Sequence, residues 1–164
     1  MSENGSSELN QYLTFTLSTE LFALDIGSVR EILDNTKITR IPRTPEFMRG
    51  VINLRGHAVP VVDLRLKFGM ARNITTKACV IITEVDFEQE NTLIGALVDE
   101  VQEVVEIEPG RIDAAPKMGT AIRSKYIKGM GKQGNRFIII LDIAKLFSSE
   151  ELSMTHDLVG AEVL

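Results

Sequence analysis

The stretch that decides the fold begins Phe47-Met48-Arg49-Gly50, passes through an Asn53-Leu54-Arg55-Gly56 turn to Val59-Pro60-Val61-Val62-Asp63-Leu64, and ends at Phe68. It returns later in the chain as Tyr126-Ile127-Lys128-Gly129, a glycine-rich turn, Ile138-Ile139-Ile140-Leu141-Asp142-Ile143 and a closing Phe147. Self-similarity at this distance signals duplication, and it outranks any local propensity in choosing a fold. Working outward, Phe22 to Ile26 recurs as Ile94 to Val98, and Val29-Arg30-Glu31-Ile32-Leu33 recurs as Val101-Gln102-Glu103-Val104-Val105. The duplicated halves run from about Gln11 to Thr76 and from Lys77 to Glu150, too long for a solenoid repeat and about right for a small β-barrel.

Within each half the apolar residues alternate with a period near two. Leu13, Phe15 and Leu17 alternate with Tyr12, Thr14 and Thr16, and Phe22, Leu24 and Ile26 with Ala23 and Asp25, as half-buried strands require. Ser18-Thr19-Glu20 reads as a hairpin turn, and the acidic segment from Glu84 to Asn91 as a longer, solvated hairpin loop. Short helical pieces are expected at Thr44 to Met48, stopped by Gly50, and after the capping residues Asp63 and Asp142. A last helix is expected to begin at Ser148 or Ser149, with fraying tails at 1–9 and 151–164.

Composition narrows the function. The 164 residues are 44% hydrophobic and 25% charged, the balance of a globular unit that buries most of its surface without staples. A net charge of −5, 5% aromatics and no tryptophan argue against a nucleic-acid platform. No apolar run reaches a membrane span and Met1 to Asn10 lacks a leader's apolar region, so a cytoplasmic protein is expected. The sequons at Asn4 and Asn73 then read as chance matches. Cys79, the single cysteine, is expected as a buried thiol among Ala78, Val80, Ile81 and Ile82.

The chemical motifs are weak. Gly129-Met130-Gly131-Lys132-Gln133-Gly134 fits the dinucleotide spacing, but an apolar, β-branched strand follows where that motif needs a helix, so its glycines are read as permitting a turn. Asp63 and Asp142 are symmetry-related carboxylates, yet Leu-Arg and Ile-Ala follow them and helix capping explains both. His57 and His156 stand alone, so neither a metal site nor an acid, base and nucleophile set is expected, and no cofactor.

What stands out instead is a mixed strand surface. Alternation places Val29, Glu31 and Leu33 on one face and turns Ile32 towards a core. It likewise places Val51, Asn53 and Arg55 together, with Ile52 and Leu54 inward and Gly56 in the turn. A guanidinium at a strand end is suited to fork onto a carboxylate or helix-end carbonyls, although an ordinary surface arginine fits the same pattern.

The run from Phe47 to Arg65, with Phe22-Ala23-Leu24-Asp25-Ile26, Val29-Arg30-Glu31-Ile32 and Val98-Asp99-Glu100-Val101, resembles CheW-type chemotaxis coupling proteins from about Asn10 to Ser148. The resemblance implies an all-β fold with short helices: two SH3-like five-stranded β-barrel subdomains, 10–76 and 77–150, packed on a shared hydrophobic seam, with a strand open to exchange between them. It implies a non-catalytic, stand-alone scaffold, since this length leaves no room for a kinase or receiver domain. Its partners would be chemoreceptor cytoplasmic tips and the regulatory domain of the histidine kinase CheA, at membrane-associated receptor clusters. Another chemosensory-type pathway is the alternative. The positions carried over are Val29, Glu31, Ile32, Asn53, Leu54, Arg55 and Gly56, with Val98, Asp99 and Val101 flanking a cleft between barrels that would take an amphipathic receptor helix. Glu31 and Arg55 are expected to pair across the surface.

Overall fold

The computed structural model describes residues 10–34, 36–70, 77–114 and 124–147. The expected last helix, the tails, both sequons and His156 lie outside these residues. The first half supplies β1 (Gln11–Leu17), β2 (Glu20–Asp25), β3 (Val29–Asp34), β4 (Met48–Leu54), β5 (His57–Asp63) and α1 (Leu64–Lys67). The second supplies β6 (Cys79–Phe87), β7 (Glu90–Val98), β8 (Glu100–Glu106), β9 (Ile127–Gln133), β10 (Arg136–Leu141) and α2 (Ile143–Leu146).

Each five-stranded sheet draws on both halves: one has the order β8-β1-β2-β10-β9, the other β3-β6-β7-β5-β4. The repeat makes β1 to β5 equivalent to β6 to β10, and under it the two orders correspond strand for strand, each sheet joining one half's leading hairpin to three strands of the other half. Registers agree as well, because β10 meets β2 in parallel with Ile140 opposite Ala23, and β5 meets β7 in parallel with Val61 opposite Gly95. A cut at 76/77 therefore follows the sequence repeat and divides both sheets. Two hairpins, β1–β2 and β6–β7, are exchanged rather than one strand.

Three apolar clusters show why the halves hold together. Tyr12, Leu21, Ala23, Ile107, Ile138 and Ile140 fill the first sheet's curl, and Ile52, Leu54, Val59, Val61, Val80 and Ile82 fill the second's. The seam between them is larger, with nineteen buried residues including Phe15, Phe22, Phe68, Ile81, Ile94, Leu141 and Phe147. Six-residue interiors are too small to stabilise either sheet alone, so most of the burial that drives folding lies between the sheets. At the seam's edge the Lys67 ammonium lies 5.1 Å from the Phe47 ring centroid and 5.3 Å from that of Tyr126, two repeat-equivalent aromatics.

Several local expectations are corrected. Glu84 to Asn91 is no open loop: β6 and β7 run on to a two-residue turn at Glu88-Gln89, whose φ values of 52° and 67° suit a twisted hairpin. Residues 44–48 form a turn closed by Met48 N–H to Pro45 O at 2.9 Å and no helix. Gly129 and Gly131 lie within β9, and only Gly134 is at the turn with φ 60°. A Cβ on Gly129 would stand 2.5 Å from Ile112 Cγ2, so that glycine admits the crossing 112–113 segment. Cys79 is half-buried beside Asp34 Oδ1 at 3.0 Å, and burial first, then that carboxylate, push its thiol up to about 11. The caps form: Asp63 accepts from Arg65 N and Leu66 N, and Asp142 from Ala144 N.

Gly50 shows what the duplicated motif requires. Its φ is 140° and a Cβ there would lie 2.1 Å from the Thr39 carbonyl oxygen, where Thr39 bridges to Val51 and buries it at the edge of β4. Gly56 has φ 90° but open space around it. Gly50→Ala is expected to cost about 3 kcal/mol and Gly56→Ala only about 1 kcal/mol, read by urea unfolding. Equal losses would mean that dihedral strain, not backbone collision, sets both.

Candidate functional site

The β4–β5 turn consists of Arg55 and Gly56, both at positive φ (51° and 90°). Asn53 at the end of β4 locks it, its Oδ1 accepting the Gly56 N–H at 2.7 Å. The turn aims Arg55 across the open side of the second sheet at Glu31 on the opposite edge strand, β3. The fork is bidentate, Nη2 to Oε1 at 2.8 Å and Nη1 to Oε2 at 3.3 Å. The Arg55 side chain is 71% exposed, so the pair sets geometry more than stability. Arg30 and Glu84 pair beside it. Together with Leu54, Ile82, Asn91 and Leu93 these charges line a shallow groove with an apolar floor. Leu54 is buried in that floor, and its contribution is a backing for the turn.

The Arg55 fork holds the Glu31 carboxyl below its ordinary 4.5, chiefly by hydrogen bonding, which with a smaller help from charge outweighs the opposing desolvation. A depressed folded-state value means the interaction is complete above the ordinary carboxylate range and fades as pH falls through the lowered midpoint. Carbon-13 titration of Glu31 is expected to give a midpoint below that of a free glutamate, and Arg55→Gln to bring it back up. An unchanged midpoint in Arg55→Gln would remove the fork as its cause.

Strict alternation fails at β3. A bulge between Val29 and Glu31 sets Val29 opposite Thr83 and Glu31 opposite Ile82. Val29 therefore packs on the seam, whereas Leu33 packs on the second sheet's interior. Ile32, opposite the seam residue Ile81, is 41% exposed because it stands on an edge strand beyond the reach of the other sheet. The expectation that Val29 shares the face of Glu31 is thus overturned by one inserted residue, and the expectation that Ile32 turns into a core by its place on an edge strand.

The second half repeats the device. A bulge in the β1–β8 pairing sets Val101 opposite Phe15 and Val104 opposite Leu13, both seam residues. Val101 packs on the seam and Val104 is 49% exposed. Val104 was not among the expected positions, although the repeat alignment sets it level with Ile32. Val98 is 1% exposed within the seam and offers no surface. Asp99 is equally internal: its Oδ2 accepts the Ser18 N–H at 2.6 Å and pairs with the buried Arg65. These two residues support the surface from beneath. Nothing in the pattern around Arg65 announced that role.

Asp63 is buried and occupied by the α1 amides and Arg49 at 3.1 Å, so its carboxylate is structural. Among the described residues no group of three His, Cys, Asp or Glu side chains could hold a metal ion. No described helix is long and apolar enough to cross a membrane.

Residues 11–151 match the family model described as CheW-like domain. The chain belongs to the CheW-like family. It is 35% identical over 153 residues to the chemotaxis protein CheW of Klebsiella aerogenes, covering 93% of this chain and 90% of that protein. To the chemotaxis protein CheW of Treponema pallidum it is 30% identical, covering 93% and 91%. The crystal structure of scaffolding protein TtCheW from Thermoanaerobacter tengcongensis superposes with a TM-score of 0.77 at 35% identity, covering 87% of this chain and 96% of that one. Two SH3-like five-stranded units joined by a seam are thus the architecture of a CheW-like chemotaxis coupling scaffold.

Proposed function

We propose that this CheW-like chain is a non-catalytic adaptor that couples chemoreceptor cytoplasmic tips to the regulatory domain of the histidine kinase CheA, in the cytoplasm beside receptor clusters. The observation that carries the reading is the matched pair of bulges, which bring Val29, Ile32, Val101 and Val104 to the seam face of the two edge strands. An amphipathic helix offers apolar side chains at i, i+3, i+4 and i+7, the complement of such a face. In this reading the groove between Glu31 and Arg55 is a separate polar contact, with Asn53 and Gly56 fixing its turn. Val98 and Asp99 act from below by holding the seam in register.

Receptor cytoplasmic fragments immobilised on beads test the helix contact. Ile32→Asp and Val104→Asp each place a charge where an apolar surface is needed, and each is expected to weaken capture at least about tenfold, since a desolvated charge costs more than 1.4 kcal/mol. Thermal unfolding should stay near wild type because both side chains are solvent-facing. Undiminished capture by both variants would move the receptor contact off the seam face.

A further inference from the structure

The segment from Arg40 to Arg49 forms a closed loop whose ends are pinned where Thr39 and Val51 exchange two backbone hydrogen bonds of 2.8 Å. Inside, Thr44 Oγ1 donates to Ile41 O at 2.9 Å, Met48 N–H to Pro45 O at 2.9 Å, and Phe47 O accepts from Asp63 N at 2.7 Å. Pro42 and Pro45 stiffen it further. This rigid loop encloses a notch of about 90 Å³ lined by Arg40, Arg43 and Arg49, with Glu46 its one carboxylate. Asp63 at 3.1 Å neutralises Arg49 but engages one of its five N–H donors. With Arg49 matched by Asp63, the charges left in the lining are Arg40, Arg43 and Glu46, one positive charge in excess. Arg43 is held there at φ 65°, a conformation that costs an arginine about 1–3 kcal/mol where glycine or asparagine is easily accommodated.

The concentration of charge runs against the chain as a whole. A protein of net charge −5 carries Lys37, Arg40, Arg43 and Arg49 against Glu46 alone between residues 36 and 50. The space is far below the roughly 300–1,000 Å³ of a cofactor pocket. It suits one small planar anion, and guanidinium forks match a carboxylate in both geometry and charge. We propose that this notch is a carboxylate-binding site that receives a single acidic side chain of a partner protein. It lies on the 40–49 loop and shares no lining residue with the groove of Glu31 and Arg55, so it would add a further, charge-selective contact.

The test follows the arginine Nε–H resonances of the full chain by NMR during titration with acetate, with inorganic phosphate, and with a blocked peptide holding one glutamate or glutamine. Acetate and the glutamate peptide are expected to move Arg40, Arg43 and Arg49 along one saturable path, and the glutamine peptide to leave them still. The double variant Arg40→Gln and Arg43→Asn suits the loop's positive φ at residue 43, and is expected to weaken binding about tenfold or more without lowering the melting temperature. Shifts that never saturate, or that persist in the double variant, overturn the site. Phosphate binding more than about tenfold tighter than acetate overturns its assignment to a carboxylate.

Discussion

Arg65→Met and Asp99→Asn should each lower the unfolding free energy by about 3–5 kcal/mol, the loss expected when one member of a buried ion pair is left without the other. Both residues are 7% exposed, and the carboxylate also accepts the Ser18 N–H. One anion thus ties the β1–β2 turn, the β7–β8 junction and α1, elements from both halves that no single sheet holds. For a chain of this size the melting temperature should fall by roughly 10 °C or more in calorimetry. An apolar double replacement, Arg65→Met with Asp99→Leu, should recover only part of the loss, because the Ser18 N–H then lacks its acceptor. A loss below about 1 kcal/mol in both single variants would show that water reaches the pair and that the seam alone sets the register.

Arg55→Glu should act in the opposite way, leaving unfolding within about 0.5 kcal/mol of wild type while abolishing kinase coupling. The side chain is exposed, and glutamate inherits the same positive φ that arginine already tolerates. What changes is the sign of the charge beside Glu31, which turns a fork into a repulsion and redirects the tip of the β4–β5 turn. The charge swap, Glu31→Arg with Arg55→Glu, should restore part of the coupling. No recovery would mean that a partner reads Arg55 directly rather than the paired geometry.

Much of the fold was legible because duplication is written in side chains that both halves need. Asp63 and Asp142 cap equivalent helices, and the apolar runs before them pair in parallel with equivalent strands. The exchange of hairpins was not legible. Val61 opposite Gly95 and Val61 opposite Ala23 bury similar side chains, so a repeat says which strands correspond and not which copy each one meets. The candidate site divides the same way. The Glu31 and Arg55 pairing was readable from one turn and one strand, whereas Val29 was misplaced because a bulge shifts side-chain parity while leaving composition untouched, and Ile32 because alternation does not say that its strand ends a sheet. Val98 and Asp99 follow the same motif as their neighbours, and only the packing of the seam against them shows that they lie beneath the surface. The Arg43 backbone, too, gives no sign of its φ in sequence, since arginine carries no preference for that region.

The most direct measurement is co-sedimentation of the chain with receptor cytoplasmic fragments and the kinase, comparing wild type with Arg55→Glu at matched stability. The wild-type chain is expected to carry the kinase into the receptor pellet, and Arg55→Glu to leave it in the supernatant. Kinase that pellets equally with either chain, or with none added, would contradict it.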